Sequence, residues 1–151
     1  MGDLGAIYQQ VILDHSKNPR YFQENSDLPY EKNCYNPLCG DSIHVYCAHD
    51  KGIITHLTFT GEGCAISMAS ASLMAEALQG VSLQQAREMF TWFIAMTTEE
   101  HEHGLSCPQQ AKKLHVLEGV RQFPMRVKCA TCAWHAFIGA VDDIPGSVKT
   151  E

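Results

Sequence analysis

The feature that most limits how this chain can fold is a change of period partway along it. Residues Ser42 to Ala48 carry Ile43, Val45 and Cys47 on one side and Ser42, His44, Tyr46 and Ala48 on the other. Asp50-Lys51-Gly52 makes a tight turn, and Ile53 to Thr60 alternates again through Ile54, Leu57 and Phe59. A period of two belongs to a half-buried strand, so this block reads as a β-hairpin. A strand near Glu31 to Tyr35 is expected to join it, making three antiparallel strands.

On both sides of that block the period is helical. Leu4, Ile7, Tyr8, Val11, Ile12 and His15 mark a first helix over about Asp3 to Lys17, with Asn18-Pro19 to stop it. Tyr21 to Pro29 is a polar, turn-rich loop. After Gly61-Glu62-Gly63-Cys64, the residues Ile66, Ala69, Leu73, Met74, Ala77 and Leu78 mark a helix that stops at Gly80. Ser82 and Gln85 form a capping box for the next helix, with Leu83, Ala86, Phe90, Phe93 and Ile94 inward. Thr97 to Cys107 reads as a loop, and Pro108 starts a short helix that carries Ala111, Leu114 and Leu117 and ends at Gly119. Pro124 opens a last helix whose inner face is Val127, Ala130, Thr131, Trp134, Phe137, Ile138 and Val141. The expected fold class is α+β, a small three-stranded antiparallel sheet packed against several helices. Residues 1–141 are expected to form one domain, with 142–151 a mobile tail.

Charge and cysteine usage narrow the function. At 151 residues and 45% hydrophobic, the chain can build a real core. A net charge of −6 disfavours nucleic acid, whose phosphates need a basic surface. No apolar run approaches the roughly 20 residues that cross a bilayer. The start, Met1-Gly2-Asp3-Leu4, lacks the basic and apolar regions of a signal peptide, and Ala6 argues against myristoylation of Gly2. Seven cysteines, an odd number, then argue for metal or thiol chemistry in a reducing cytoplasm rather than a disulfide framework.

Three cysteines stand at element boundaries. Cys39 lies in Asn36-Pro37-Leu38-Cys39-Gly40-Asp41, a loop that sets a soft thiol and a hard carboxylate two residues apart. Cys64 opens a helix, where free N–H groups and the helix dipole favour thiolate. Cys129 lies near the start of the last helix, flanked by Arg126 and Lys128, whose charges also favour thiolate. If these sites converge, Cys39, Asp41, Cys64 and Cys129 supply the four ligands of a tetrahedral zinc site. Thiolates suit iron–sulfur clusters equally well. The plainer alternative is a set of buried thiols that pack as small hydrophobes.

The stretches Asn36 to Asp41, Gly61 to Ser67 with Ala69 to Ser72, and Gly119-Val120-Arg121 through Arg126-Val127-Lys128-Cys129-Ala130 resemble the U-type iron–sulfur cluster assembly proteins, the SufU/IscU/NifU N-terminal family. The match runs in order to about Val141. Lys128 stands where the cluster-scaffold branch carries a His, and the segment Leu83 to Cys107 is longer than that branch needs; both features resemble the SufU branch. The resemblance implies a SufE/IscU-like architecture and a zinc ion held by Cys39, Asp41, Cys64 and Cys129. It also implies a partner, a SufS-type pyridoxal-phosphate cysteine desulfurase, with downstream SUF assembly components beyond it. In the family the partner's His replaces a cysteine on zinc, and Cys39 is the expected persulfide acceptor because its loop carries Pro37 and Gly40. Arg126 resembles the family's arginine beside the site, a thiolate or partner contact. The chain would then be a sulfurtransferase-like partner rather than a stand-alone enzyme. The alternatives are a scaffold for a [2Fe–2S] cluster and a thiol redox protein using Cys129 and Cys132.

Several residues carry a functional and a bland reading side by side. Cys132 departs from the aliphatic residue common in the family. At i, i+3 from Cys129 it could resolve a persulfide, form a disulfide or compete for metal, and it reads first as a small core residue. Cys34 and Cys47 read as packed thiols on strands, and Cys107 as a surface thiol. His101 and His103, among Glu99, Glu100 and Glu102, read as a solvated loop rather than a metal site. Phe90 and Phe93 read as core, while Trp92, off that face, is a candidate partner contact.

Overall fold

A computed structural model of the chain describes residues 2–98, 109–142 and 148–149. Helix α1 spans Gly2–Lys17, followed by strands β1 (Tyr30–Asn36), β2 (Asp41–Asp50) and β3 (Ile53–Glu62). Helices α2 (Ala65–Leu78) and α3 (Leu83–Thr98) come next, then a 3₁₀ helix over Gln109–Gln122 and helix α4 (Pro124–Val141). Strands β1, β2 and β3 pair antiparallel in that order, as the alternation implies. Val148–Lys149, β4, adds a two-residue parallel strand on the far side of β1, opposite Cys34 and Tyr35, which the sequence reading did not include. Among the described residues, no helix is long and apolar enough to cross a membrane.

The register puts one face of the sheet into the core. Cys34 lies opposite Ile43, Val45 opposite Phe59, and Cys47 opposite Leu57, and all six are buried. Ile54 and Leu57 are three residues apart yet both inward. The register shifts between Ala48 and His49, and the extra residue on β3 there allows it. Helix α4 lies across this face, bringing Ala130, Ala133, Trp134 and Phe137 onto it.

Helix α2 is the centre of the helical layer. Its run of Ala and Ser lets neighbours come close, and Ser67, Ala69, Ser70, Ala71 and Ser72 are all buried. Buried hydroxyls need partners. Ser70 Oγ donates to the Ala130 carbonyl of α4 at 2.5 Å. Ser72 Oγ accepts the Arg20 backbone N–H at 2.8 Å and lies 2.7 Å from His15 Nδ1 of α1. The capping box at α3 forms as expected: Ser82 Oγ accepts the Gln85 N–H, and the Gln85 side chain accepts the Ser82 N–H.

Two expectations are corrected. Trp92 is not available to a partner: it is buried, edge-on to His115 with ring centroids 5.2 Å apart. The 3₁₀ helix covers that side of α3, so its buried stripe runs through Met89, Trp92, Phe93 and Met96, while Phe90 is only partly buried. The segment after Pro108 runs past Gly119 to Gln122 as a 3₁₀ helix. With three residues per turn it aligns Leu114, Leu117 and Val120, all buried, on one face.

Candidate metal centre

The site is built at one end of the sheet, where the β1–β2 loop, the end of β3 and the start of α4 meet. Asn36 ends β1 and pairs with Asp41, the first residue of β2, so residues 37–40 form the connecting loop. The Gly40 N–H closes it on the Asn36 carbonyl at 2.8 Å, and Gly40 has φ +74°, a left-handed conformation that favours glycine. Cys39 therefore sits at the loop's end, half-buried, while Leu38 beside it is exposed.

The Gly61-Glu62-Gly63 run serves close approach. A Cβ at Gly61 would stand 2.2 Å from the Ser42 carbonyl oxygen, and one at Gly63 would stand 2.5 Å from Asp41 Oδ1. Side chains at these positions would hold β3 away from the carboxylate. Because the backbone comes so near, the Cys64 N–H donates to Asp41 Oδ1 at 2.9 Å. Cys64 also caps α2, its Sγ accepting the Ser67 N–H at 3.5 Å. Cys129 arrives from the second turn of α4, fully buried.

Cys39, Asp41 and Cys129 come together: their ligand atoms all lie within 4.8 Å of one another. Cys64 stands beside this trio, near enough to perturb the Cys129 thiol, but its sulfur is not among the atoms that lie within 4.8 Å of one another. Burial first, then side-chain hydrogen bonding with Asp41, Cys39 and Cys64 and the charge of the nearby Cys64 sulfur, push the Cys129 thiol well above its ordinary range. The flanking basic residues do not outweigh that. Arg126 is the cation facing the group; charge on Cys64 first, then a hydrogen bond to Cys129, holds its guanidinium more firmly protonated than usual.

That electrostatic balance tests whether a metal fits. Two thiols and a carboxylate converge within 4.8 Å, with Cys64 near but outside that group, and their like charges cannot all be borne by one exposed arginine. A divalent cation removes the conflict by replacing thiol protons, and three sulfurs with one oxygen match the ligand number and softness of zinc. The donor set fits such an ion.

Asn36 is the residue the sequence reading passed over as more than part of a motif. It is fully buried; its Nδ2 donates to Asp41 Oδ2 at 3.0 Å and to Cys129 Sγ at 3.5 Å. Its place directly before a proline-containing ligand loop was the only signal in the sequence. The other described cysteines, Cys34, Cys47 and Cys132, stay out of the site. The Cys132 Sγ donates to the Cys34 carbonyl at 3.3 Å, and both residues are buried. Burial pushes the Cys47 thiol up to about 12, as suits a packed thiol. Cys107, His101 and His103 lie outside the described residues.

Comparison with known proteins follows the same lines. The family model described as the NifU-like N-terminal domain matches residues 7–130. The zinc-dependent sulfurtransferase SufU of Bacillus subtilis (strain 168) is 39% identical over 136 residues, covering 89% of this chain and 88% of that protein. The iron–sulfur cluster assembly scaffold protein IscU of Streptococcus pyogenes serotype M1 is 34% identical over 143 residues, covering 93% of this chain and 86% of that protein. The N-terminal part of a nitrogen-fixing NifU-like protein from Brucella abortus superposes with a TM-score of 0.82, over 93% of this chain and 96% of that one. At 21% identity that likeness establishes the fold.

Proposed function

This chain belongs to the NifU-like N-terminal domain family, and from that premise we propose that it is a zinc-dependent sulfur acceptor in iron–sulfur cluster assembly. Its partner is a SufS-type cysteine desulfurase, which it stimulates by removing persulfide sulfur, and it works in the reducing cytoplasm. The observation that carries this reading is the convergence of Cys39, Asp41 and Cys129 within 4.8 Å, with Cys64 and Arg126 beside them.

Cys39, Asp41 and Cys129 would hold the zinc, with Cys64 beside them as the fourth ligand. Bound there, zinc supplies a Lewis-acid centre that keeps the thiols as thiolates at neutral pH. The residues then divide the labour by how firmly each is held. Asp41 and Cys129 are buried, and Cys64 is fixed as the cap of α2. Cys39 is half-buried on a four-residue loop closed by a left-handed glycine, so it is the one free to turn outward. Its thiolate attacks the outer sulfur of the partner's persulfide. The partner's S–S bond breaks, a new S–S bond forms on Cys39, and the partner's cysteine departs as thiolate, with no net oxidation. Arg126 faces the thiolates and stabilises the negative charge that passes between them.

The alternative role, a scaffold for a [2Fe–2S] cluster, uses the same thiols. Lys128, where the resemblance expects a scaffold's His, favours the transfer role. Anaerobic purification with metal analysis separates the two: colourless protein with about one zinc supports transfer, whereas a brown, cluster-bearing protein overturns it.

A further inference from the structure

We propose that Asn36 is a positioning residue for the metal ligands, a double donor that fixes Asp41 and Cys129 as a pair independent of Cys39. The inference rests on the zinc reading of the site and goes beyond it by adding a residue that binds no metal. Four observations carry it. Asn36 is fully buried at the end of β1. Its amide orientation follows from its surroundings, because the Leu38 N–H donates to Oδ1 at 3.3 Å. Nδ2 therefore faces the site, where it donates to Asp41 Oδ2 at 3.0 Å and Cys129 Sγ at 3.5 Å. An amide nitrogen has two donors, so both are used, each toward a group that must be anionic to bind metal.

The arrangement links elements that sequence keeps apart. Cys129 is 93 residues from Asn36, and Asp41 is five away on the next strand. Asp41 Oδ1 is already taken by the Cys64 N–H, so Asn36 fixes the other oxygen and with it the carboxylate plane. A carboxylate held at both oxygens keeps its orientation when one of its fellow ligands turns away. Residues of this kind that support metal ligands typically change metal affinity by about 10–100-fold when replaced.

The test uses two variants of the full chain. Asn36→Asp keeps the shape and the acceptor for Leu38 but turns the donor toward Asp41 and Cys129 into an oxygen. Asn36→Ala removes the side chain. Zinc affinity is read by chelator competition, the ligand field by the cobalt-substituted absorption spectrum, and folding by circular dichroism of chelator-treated protein. The expected result is about 10–100-fold weaker zinc binding in both, with the isosteric Asp at least as damaging as Ala, and a similar loss when Asn36→Ala is made in a Cys39→Ala background. A packing role alone would spare Asp and hurt Ala. An Asn36→Asp variant with zinc affinity and cobalt spectrum like the parent's overturns the proposal. A parent protein that binds no zinc would instead overturn the reading of the site itself.

Discussion

Asp41 Oδ1 accepts the backbone N–H of Cys64 at 2.9 Å, so the first residue of β2 and the cap of α2 hold each other in place. The contact exists because Gly63 brings the chain past the carboxylate without a side chain. A Cβ there would stand 2.5 Å from Asp41 Oδ1. Gly63→Ala is therefore expected to destabilise the fold by about 1–3 kcal/mol and to weaken zinc binding at least tenfold, on the order seen for displaced ligand supports. Gly119→Ala, where an added Cβ meets nothing within 4 Å, is the control. It should leave stability unchanged or raise it by up to ~1 kcal/mol. Denaturant unfolding and chelator competition check both.

Cys132 addresses the redox alternative. Its thiol is buried and donates to the Cys34 carbonyl, away from the trio of Cys39, Asp41 and Cys129. Cys132→Ala should lower stability by about 1–2 kcal/mol through a small cavity, with zinc content and desulfurase stimulation unchanged. Loss of stimulation in that variant alone would restore the redox reading.

Arg126 is exposed, so replacing it should leave the fold intact. Its guanidinium faces Cys64, Cys129 and Cys39. Arg126→Ala is expected to slow sulfur transfer about tenfold, the effect of losing roughly 1.4 kcal/mol of charge stabilisation in the transfer step. Arg126→Lys should recover part of the rate. Single-turnover transfer from persulfurated desulfurase measures this, and an unchanged rate would remove Arg126 from the mechanism.

The sheet and the ligand loop were legible in the sequence because their signals are local. Alternation set the strands, and glycine with proline marked the turn that carries Cys39. The convergence of Cys39, Asp41 and Cys129 drew on family resemblance, since Cys129 comes from another part of the chain. Trp92 was misread because a helix's own periodicity shows one apolar face, while α3 is covered on a second side by the 3₁₀ helix. The contact of Asn36 with Cys129 across 93 residues was not legible, since its place before the ligand loop was the only signal. The spacing of Leu114, Leu117 and Val120, by contrast, did contain the 3₁₀ period.

Two histidines, buried His15 and half-buried His135, set an acid limit to stability. Burial first, then the charges of Arg20 and Lys113, hold His15 below its ordinary pKa, against the opposing pull of Glu76 and Asp14. Burial alone does so for His135. In the unfolded chain both titrate near the usual value of about 6.5, so the unfolded state takes up protons first as pH falls. This contribution is fully present above about pH 6.5 and is lost as pH drops toward the folded values. The melting temperature of chelator-treated protein should fall from pH 7 to pH 5, and His15→Gln should make that fall shallower. An unchanged slope would show that His15 takes up its proton equally in the folded and unfolded states.

If Cys39 turns away from its fellow ligands to accept sulfur, the transferred sulfur is found on that residue. The zinc-loaded protein is incubated with a SufS-type desulfurase and cysteine, trapped with an alkylating reagent, and its peptides are weighed by mass spectrometry. The expected result is one extra sulfur atom on Cys39, with Cys64, Cys129 and Cys132 unmodified, and no stimulation of the desulfurase by Cys39→Ala. Sulfur found on another cysteine, or full stimulation by Cys39→Ala, would contradict the account.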